Sequence, residues 1–92
     1  MIDKFILYTK DECPFCMQAA TLLSELNYDH KIISFSGNQE LLREVYSGYD
    51  WSTVPIVFGK DTSTGQYRLI GGYTDLLQFI DEREANGRTE TN

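Results

Sequence analysis

Two cysteines separated by two residues, Cys13 and Cys16, are the groups in this sequence best suited to chemistry. A pair at this spacing can act as a redox couple or supply half of a zinc site. A structural zinc site needs four ligands, usually from cysteine and histidine, and this chain adds only His30 to its two cysteines. Cysteine and histidine therefore cannot complete such a site within the chain, and the spacing favours redox chemistry. We expect no bound metal.

The cysteine pair lies where a predicted strand passes into a predicted helix. The apolar run Lys4–Thr9 predicts a strand buried on both faces. Pro14 suits the first turn of a helix, because its missing N–H costs nothing there. The apolar stripe that predicts a helix over about 14–26 consists of Cys16, Ala19, Ala20, Leu23 and Leu26.

This position favours a reactive Cys13. Free backbone N–H groups at a helix N-terminus stabilise a thiolate, which is the nucleophilic form. We therefore expect a lowered pKa for Cys13, at the cap, and a more buried, more ordinary thiol at Cys16. Lys10, three residues before Cys13, adds a positive charge at the same place.

A second motif, Thr53-Val54-Pro55, precedes a predicted strand that begins at Pro55. A trans proline marking a strand edge is the commoner arrangement. A cis bond is attractive here, because it would turn the backbone of Val54 toward the cysteines. Its N–H and C=O could then pair with an extended peptide irrespective of side chains. Trp51, just before this motif, either walls the same site or packs under a loop.

A third motif, Gly71-Gly72-Tyr73-Thr74-Asp75, opens the last predicted helix. Two glycines permit close backbone approach, and the helix start presents N–H groups suited to a carboxylate. Taken alone, the motif indicates a simple turn between a strand and a helix.

The remaining patterns predict a β-α-β-α-β-β-α order. A second strand is predicted over 28–35, then a helix, a loop over 47–52 and a hairpin whose polar turn is 60–66. Strands joined through a helix should be parallel, and hairpin strands antiparallel. We predict an α/β fold, a four-stranded mixed sheet flanked by three helices, formed by residues 1–85 with a flexible tail over 86–92.

Charge and hydropathy restrict the partners. The formal net charge is −6, from 8 Lys and Arg against 14 Asp and Glu, which disfavours binding to nucleic acids and anionic membranes. No apolar run approaches the roughly 20 residues of a membrane span. The N-terminus also lacks the pattern of a secretory signal. We expect a cytoplasmic monomer that binds neither nucleic acid nor membranes.

Together the three motifs resemble those of the glutaredoxin family. The resemblance rests on Cys-Pro-Phe-Cys near the start, Thr-Val-Pro in mid-chain and Gly-Gly-Tyr-Thr-Asp at the last helix, and it spans about residues 4–84. It implies a thioredoxin-like fold and glutathione-dependent reduction of protein disulfides and of protein–glutathione mixed disulfides. Glutathione would be the reductant, with no bound cofactor. Disulfide-bearing or glutathionylated proteins would be the partners, with ribonucleotide reductase as one candidate.

The resemblance also implies a role for each matching residue. Cys13 corresponds to the nucleophile and Cys16 to the resolving thiol. Lys10 corresponds to a basic residue facing the glycyl carboxylate of glutathione, and Val54 to the residue pairing with its cysteinyl backbone. The implied glutathione site is completed by Phe15, Thr53, Pro55 and Gly72, with Thr74 and Asp75 at the positions that hold the γ-glutamyl end.

Several positions depart from the family pattern. Phe15 stands where many dithiol members have Tyr, and Ile56 follows Pro55, where a polar residue is frequent. The predicted Lys60–Gln66 turn is longer than the usual tight hairpin. A side chain from the second helix that often helps to bind glutathione has no clear counterpart, Arg43 being one candidate.

Two alternatives remain open from the sequence. The first is a glutaredoxin-like redoxin reduced by thioredoxin reductase and serving ribonucleotide reductase, against which Thr74 and Asp75 argue. The second is an iron–sulfur cluster binding or delivery module, in which Cys13 and glutathione of two chains ligate a [2Fe–2S] cluster. Pro14 beside the nucleophile and a usable second thiol favour exchange chemistry over this module.

Overall fold

The computed structural model describes residues 2–91 of the chain, and side chains over 2–85. The predicted order of four strands and three helices is confirmed. The elements are β1 Ile2–Thr9, α1 Pro14–Glu25, β2 Asp29–Ser34, α2 Gln39–Tyr49, β3 Ile56–Asp61, β4 Gln66–Gly71 and α3 Tyr73–Thr91.

The strands form one mixed sheet in the order β2-β1-β3-β4. The pair β1 and β2, joined through α1, is parallel, with Thr9 opposite Ser34. Both β1 with β3 and β3 with β4 are antiparallel. This is the predicted thioredoxin-like arrangement.

The sheet order brings the three motifs to one edge. Because β3 runs antiparallel to β1, the end of β1 lies beside the start of β3, with Tyr8 opposite Ile56. Because β4 is antiparallel to β3, the end of β4 reaches the same edge, with Val57 opposite Gly71. The segments that follow β1, precede β3 and follow β4 carry the cysteines, the Thr-Val-Pro motif and the second glycine, respectively.

Alternating side chains of β1 pack on opposite faces of the sheet. Phe5 and Leu7, both 1% exposed or less, lie in the larger core with residues of α1 and α3. Tyr8 points to the other face, where its ring contacts Phe35 and Phe58. The ring of Tyr49, the last residue of α2, contacts Phe58 on that face. The sheet is therefore covered on both faces, as the apolar first strand predicted. The larger core comprises Ile2, Phe5, Leu7, Ala19, Leu23, Val57, Leu76 and Ile80.

The predicted hairpin turn is too long. The hairpin turn covers only 62–65, because Lys60 pairs with Tyr67 and Asp61 with Gln66 in the strand ladder. Gly65 closes it, with φ of 75° and an N–H donated to the carbonyl of Asp61 at 2.7 Å. Backbone pairing thus extends through polar residues at the edge of the sheet, where side-chain hydropathy gives no signal.

The second helix also continues beyond the predicted loop start at residue 47, to Tyr49. It ends at Asp50, which has a left-handed φ of 52° and donates its N–H to the carbonyl of Ser47. The third helix runs to Thr91, whereas the sequence predicted a tail from residue 86. The side chains of 86–92 lie outside the described residues, and the flexibility of this segment stays a prediction.

Candidate active site

Cys13 caps helix α1, as the sequence predicted. Its backbone is extended, with φ −119° and ψ 96°, and Pro14 follows as the first helical residue. The Sγ of Cys13 accepts a hydrogen bond from the backbone N–H of Cys16 at 3.2 Å. The Cys13 sulfur is thus in contact with one of the N–H groups that a helix start leaves unpaired.

The two cysteines form a disulfide, with their Cα atoms 5.2 Å apart. The structure therefore shows the oxidised form of the pair. Cys13 is 8% exposed and Cys16 5%. The predicted contrast between an open and a buried thiol is small in this form, because the bond holds both sulfurs together. The lowered pKa predicted for Cys13 belongs to the reduced form.

The Thr-Val-Pro motif lies against the disulfide. The Val54–Pro55 peptide bond is cis, the isomer that the sequence argument favoured. The carbonyl oxygen of Val54 lies 3.7 Å from the Sγ of Cys13. The ring of Pro55 is fully buried beneath it. Main-chain atoms of Val54 are thus beside the sulfur predicted to react.

A cavity of about 340 Å³ opens next to these groups. All residues predicted to contact glutathione line it, with the single exception of Lys10. Its walls come from the start of α1, from 51–55 and from the start of α3. The lining residues are Phe15, Trp51, Thr53, Val54, Pro55, Gly72, Tyr73, Thr74 and Asp75.

Asp75 has a structural contact that the sequence prediction missed. Its Oδ2 accepts a hydrogen bond from the backbone N–H of Gly72 at 2.9 Å. Gly72 precedes the first residue of α3, so this contact satisfies a donor at the helix start, in the manner of a capping box. Gly71, with φ 131°, leaves room for the carboxylate, which a Cβ at that position would overlap. The spacing of Gly72 and Asp75, three residues apart, could have revealed the cap.

Trp51 walls the cavity, which decides between the two alternatives left by the sequence. Its ring lies beside Gly72, with Cζ2 3.8 Å from the point where a Cβ would stand on that glycine. The indole Nε1 is buried and has no hydrogen-bond partner among the described residues. Sequence could not place this ring, because its position depends on the contact between two distant loops.

Lys10 lies in a neighbouring cavity of about 260 Å³, which both cysteines also line. It further lines a cavity of about 300 Å³ with Gln39, the first residue of α2. From this helix the sequence offered Arg43 as one candidate, whereas Gln39 was not considered. Arg43 lies one turn further along and is outside that lining. A polar amide at the start of α2 is the signal that could have pointed to Gln39.

Among the described residues, no group of three or more His, Cys, Asp or Glu side chains is arranged to hold a metal ion. None of the helices in the described part of the chain is long and apolar enough to span a membrane. His30, on the edge strand β2, is half-buried, with its ring nitrogens near Ser24 and the Tyr28 carbonyl.

Comparison with known proteins identifies the family. The glutaredoxin family model matches residues 5–63. A probable glutaredoxin of Acanthamoeba polyphaga mimivirus is 33% identical over 88 residues, covering 84% of this chain and 77% of the relative. Glutaredoxin-1 of Ectromelia virus is 32% identical over 91 residues, covering 92% and 78%.

Solved structures agree. Glutaredoxin from Brucella melitensis is 27% identical, with a TM-score of 0.70 over 94% of this chain and 87% of that one. A dithiolic glutaredoxin from Trypanosoma brucei brucei is 28% identical, with a TM-score of 0.69 over 92% and 84%. A thioredoxin-like fold with a Cys-x-x-Cys pair at the start of α1 defines a thiol–disulfide oxidoreductase. By sequence and structure, the chain belongs to the glutaredoxin family.

Proposed function

We propose that this glutaredoxin takes its electrons from glutathione and reduces both protein–glutathione mixed disulfides and protein disulfides. The observation that carries the proposal is the cavity beside Cys13, in which the Val54 backbone and the start of α3 lie around one space. An extended tripeptide whose central sulfur reaches Cys13 fits this arrangement. The matched family segment ends at residue 63, so the proposed role of α3 depends on geometry and motif.

The two ends of glutathione would be held by different elements. The backbone N–H groups and hydroxyl of Thr74, at the start of α3, suit the γ-glutamyl carboxylate. Asp75 supplies a negative charge for the neighbouring ammonium while its Oδ2 caps Gly72. Lys10 and Gln39 line one cavity and would meet the glycyl carboxylate. Trp51 lines the cavity and would limit the width of the space that receives the γ-glutamyl end.

With a glutathionylated protein, the Cys13 thiolate would attack the glutathione sulfur. A bond forms between that sulfur and Cys13 while the bond to the target sulfur breaks, and the target thiolate leaves with the electron pair and takes a proton. A second glutathione thiolate then attacks the glutathione sulfur of the adduct. Glutathione disulfide is released and the Cys13 thiolate returns.

With a protein disulfide, Cys13 would attack one sulfur of the target. Cys16 then attacks the Cys13 side of the mixed disulfide, which releases the target dithiol and closes the Cys13–Cys16 bond seen here. Two glutathione molecules reduce this bond again. A low pKa at Cys13 would accelerate the exchange in two ways. It would raise the fraction of Cys13 present as the attacking thiolate, and it would make Cys13 a better leaving group when the mixed disulfide is resolved. Ribonucleotide reductase remains one candidate target.

An NADPH-coupled assay separates this proposal from the redoxin alternative. The oxidised protein and a disulfide substrate are supplied with glutathione and glutathione reductase, or with thioredoxin reductase. We expect turnover with the glutathione system and little with the other. Turnover with thioredoxin reductase alone would contradict the proposal. Visible absorption of protein purified without oxygen would instead indicate the iron–sulfur module.

A further inference from the structure

A groove along α1, bordered by Tyr73 of α3, lies next to the glutathione cavity. It encloses about 500 Å³. Apolar side chains form most of its wall, and Met17, which is 71% exposed, stands at its edge. Its lining includes Pro14, Met17, Thr21, Leu22, Glu25 and Tyr73.

This groove is continuous with the candidate active site. Tyr73 lines both the groove and the glutathione cavity. Its ring packs beside that of Phe15, with 5.9 Å between the ring centroids, and Phe15 lines the glutathione cavity but not the groove. We call these two rings the ridge. Met17 lines both the groove and the cavity that contains Cys13 and Cys16. The groove therefore begins beside the reactive sulfur and leads away from the space assigned to glutathione.

The groove has a direction and a charge. It follows α1 from Pro14, next to the disulfide, to Glu25, the last residue of the helix. At 1.5 Å per helical residue this distance is about 16 Å, which an extended peptide covers in about five residues. Near its start the groove offers a flexible methionine, suited to varied apolar side chains. At its far end it offers an exposed carboxylate.

We propose that this groove binds the segment of a target protein that flanks the reactive cysteine. The segment would carry an apolar residue close to the cysteine and a lysine or arginine about five residues from it, opposite Glu25. This inference depends on the proposed function and names its substrate class. In the exchange, Cys13 bonds to the glutathione sulfur on one side of the ridge, and the target thiolate leaves on the other.

The charge of the molecule supports a basic partner. In the cavity around the cysteines the acidic Asp11 and Glu12 outnumber the basic Lys10, and the chain has a net charge of −6. An acidic target segment would meet repulsion along this path, whereas a basic one would be steered toward it. Single exposed charge pairs are weak, so the contact with Glu25 should change kcat/KM by about two- to fivefold at low salt.

Matched synthetic peptides test the proposal. Each carries one cysteine joined to glutathione and an apolar intervening segment, with either lysine or glutamate five residues before or after the cysteine. Deglutathionylation is measured with the wild-type protein, with Glu25→Gln and with Glu25→Lys. Glu44→Gln, which changes an exposed carboxylate on α2 outside this groove, is the control. A small mixed disulfide of glutathione and 2-mercaptoethanol reports the basal activity.

We expect a lysine peptide to be preferred in at least one of the two placements. The preference should disappear in Glu25→Gln, reverse in Glu25→Lys and persist in Glu44→Gln, with equal activity of all variants on the small substrate. A lysine preference that is absent, or that survives both changes at Glu25, would overturn the inference alone. Failure of the wild type to reduce the small substrate with glutathione would overturn the proposed function and this inference with it.

Discussion

At the scale of single residues, the two neighbouring cysteines are similarly buried but differ in their contacts. The Sγ of Cys13 accepts the N–H of Cys16 and lies 3.7 Å from the Val54 carbonyl. Cys16 lies one helical turn further on, 5% exposed, on the side of α1 that packs on the sheet. In the proposed reaction, a substrate sulfur held beside Val54 meets Cys13 first. The proposed steps therefore divide between the two cysteines.

The first prediction concerns this division. Cys13→Ser should abolish reduction of both a small glutathione mixed disulfide and a protein disulfide, because it removes the nucleophile. Cys16→Ser should keep much of the first activity and lose the second, because only the protein disulfide needs an internal resolving thiol. Both activities are measured in the glutathione-coupled assay. Activity of Cys13→Ser together with inactivity of Cys16→Ser would reverse the assigned roles.

Asp75 combines two tasks, and the second prediction separates them. Asp75→Asn keeps an oxygen that can cap the Gly72 N–H but removes the charge, whereas Asp75→Ala removes both. If the charge binds the ammonium of glutathione, Asp75→Asn should raise the apparent KM for glutathione about fivefold. Reduction of a disulfide that lacks glutathione should change little.

The stability of the two variants supplies the control. Asp75→Ala should additionally lower the free energy of unfolding by about 0.5–2 kcal/mol, as loss of a helix cap does. Asp75→Asn should be close to the wild type in a urea titration. An unchanged KM in Asp75→Asn would leave Asp75 with the cap alone and would weaken the assignment of the γ-glutamyl end.

Sequence indicated the cysteines and most of the cavity residues, because these belong to short motifs. It could not indicate that Lys10 shares a cavity with Gln39 rather than with the other predicted glutathione residues. Nor could it place Trp51 against Gly72. Both facts depend on how separate loops meet in space, which no local pattern contains.

At the scale of secondary-structure elements, the start of α1 is the feature that should activate Cys13. Its residues give a cap, a proline in the first turn and a backbone N–H directed at the sulfur. A thiolate in this position is stabilised by the helix terminus, whereas a thiol gains much less.

The third prediction follows from this stabilisation. In Cys16→Ser, the rate of Cys13 alkylation by iodoacetamide should titrate with a midpoint clearly below the pKa of about 8.5 of a free thiol. Lys10→Ala should raise this midpoint only modestly, because an exposed charge is screened by solvent and salt. A midpoint near that of a free thiol would contradict the role assigned to the helix start.

A second set of contacts joins β1, the hairpin turn and α3 at the other end of the sheet. Asp3 in β1 accepts from Thr62 in the hairpin turn at 2.9 Å and pairs with Arg83 of α3 at 3.2 Å. Arg83 also donates to the carbonyl of Ile2 and lies over the ring of Tyr28. The hydrogen bond from Thr62, followed by that from Arg83, holds the pKa of Asp3 below its usual value.

The fourth prediction is a pH dependence of stability. A carboxyl whose pKa is lower in the folded state stabilises the fold above its unfolded pKa, and this contribution is lost as the pH falls through the folded pKa. Asp3→Asn should therefore lower the urea midpoint at neutral pH, and the difference from the wild type should shrink well below a pH of about 4. Asp81→Asn, which changes an exposed carboxylate on α3, is the control. A difference that stays constant with pH would exclude the ionised Asp3 as its cause.

The boundaries of elements show where sequence patterns end. The starts of α1 and α3 were predicted because Pro14 and the two glycines before Tyr73 are specific signals. The hairpin was predicted with too long a turn, since Lys60, Asp61 and Gln66 pair through their backbones. Such pairing between polar residues leaves no alternation of apolar side chains in the sequence.

At the scale of the whole molecule, the sheet order assembles the site. Antiparallel pairing of β3 with both neighbours places the end of β1, the start of β3 and the end of β4 together. The sequence predicted the order of elements, the parallel first pair and the hairpin. It did not specify that β3 would pair with β1. This pairing joins segments far apart in the sequence and depends on how both faces of the sheet are packed.

Two different spaces, the glutathione cavity and the groove along α1, lie next to Cys13. Seven of the predicted glutathione residues line one cavity, and one of them, Phe15, also belongs to the ridge. The groove is apolar with an acidic end. The central claim is that glutathione enters the cavity and becomes bonded to Cys13.

Mass spectrometry of the intact protein and of its peptides tests this claim most directly. Cys16→Ser is incubated with glutathione disulfide, and the product is digested and sequenced to locate the bound tripeptide. We expect one glutathione on Cys13, no adduct on Cys13→Ser treated in the same way, and removal of the adduct by reduced glutathione. Absence of the adduct on Cys13, or its exclusive presence on Cys16 in Cys13→Ser, would contradict the account.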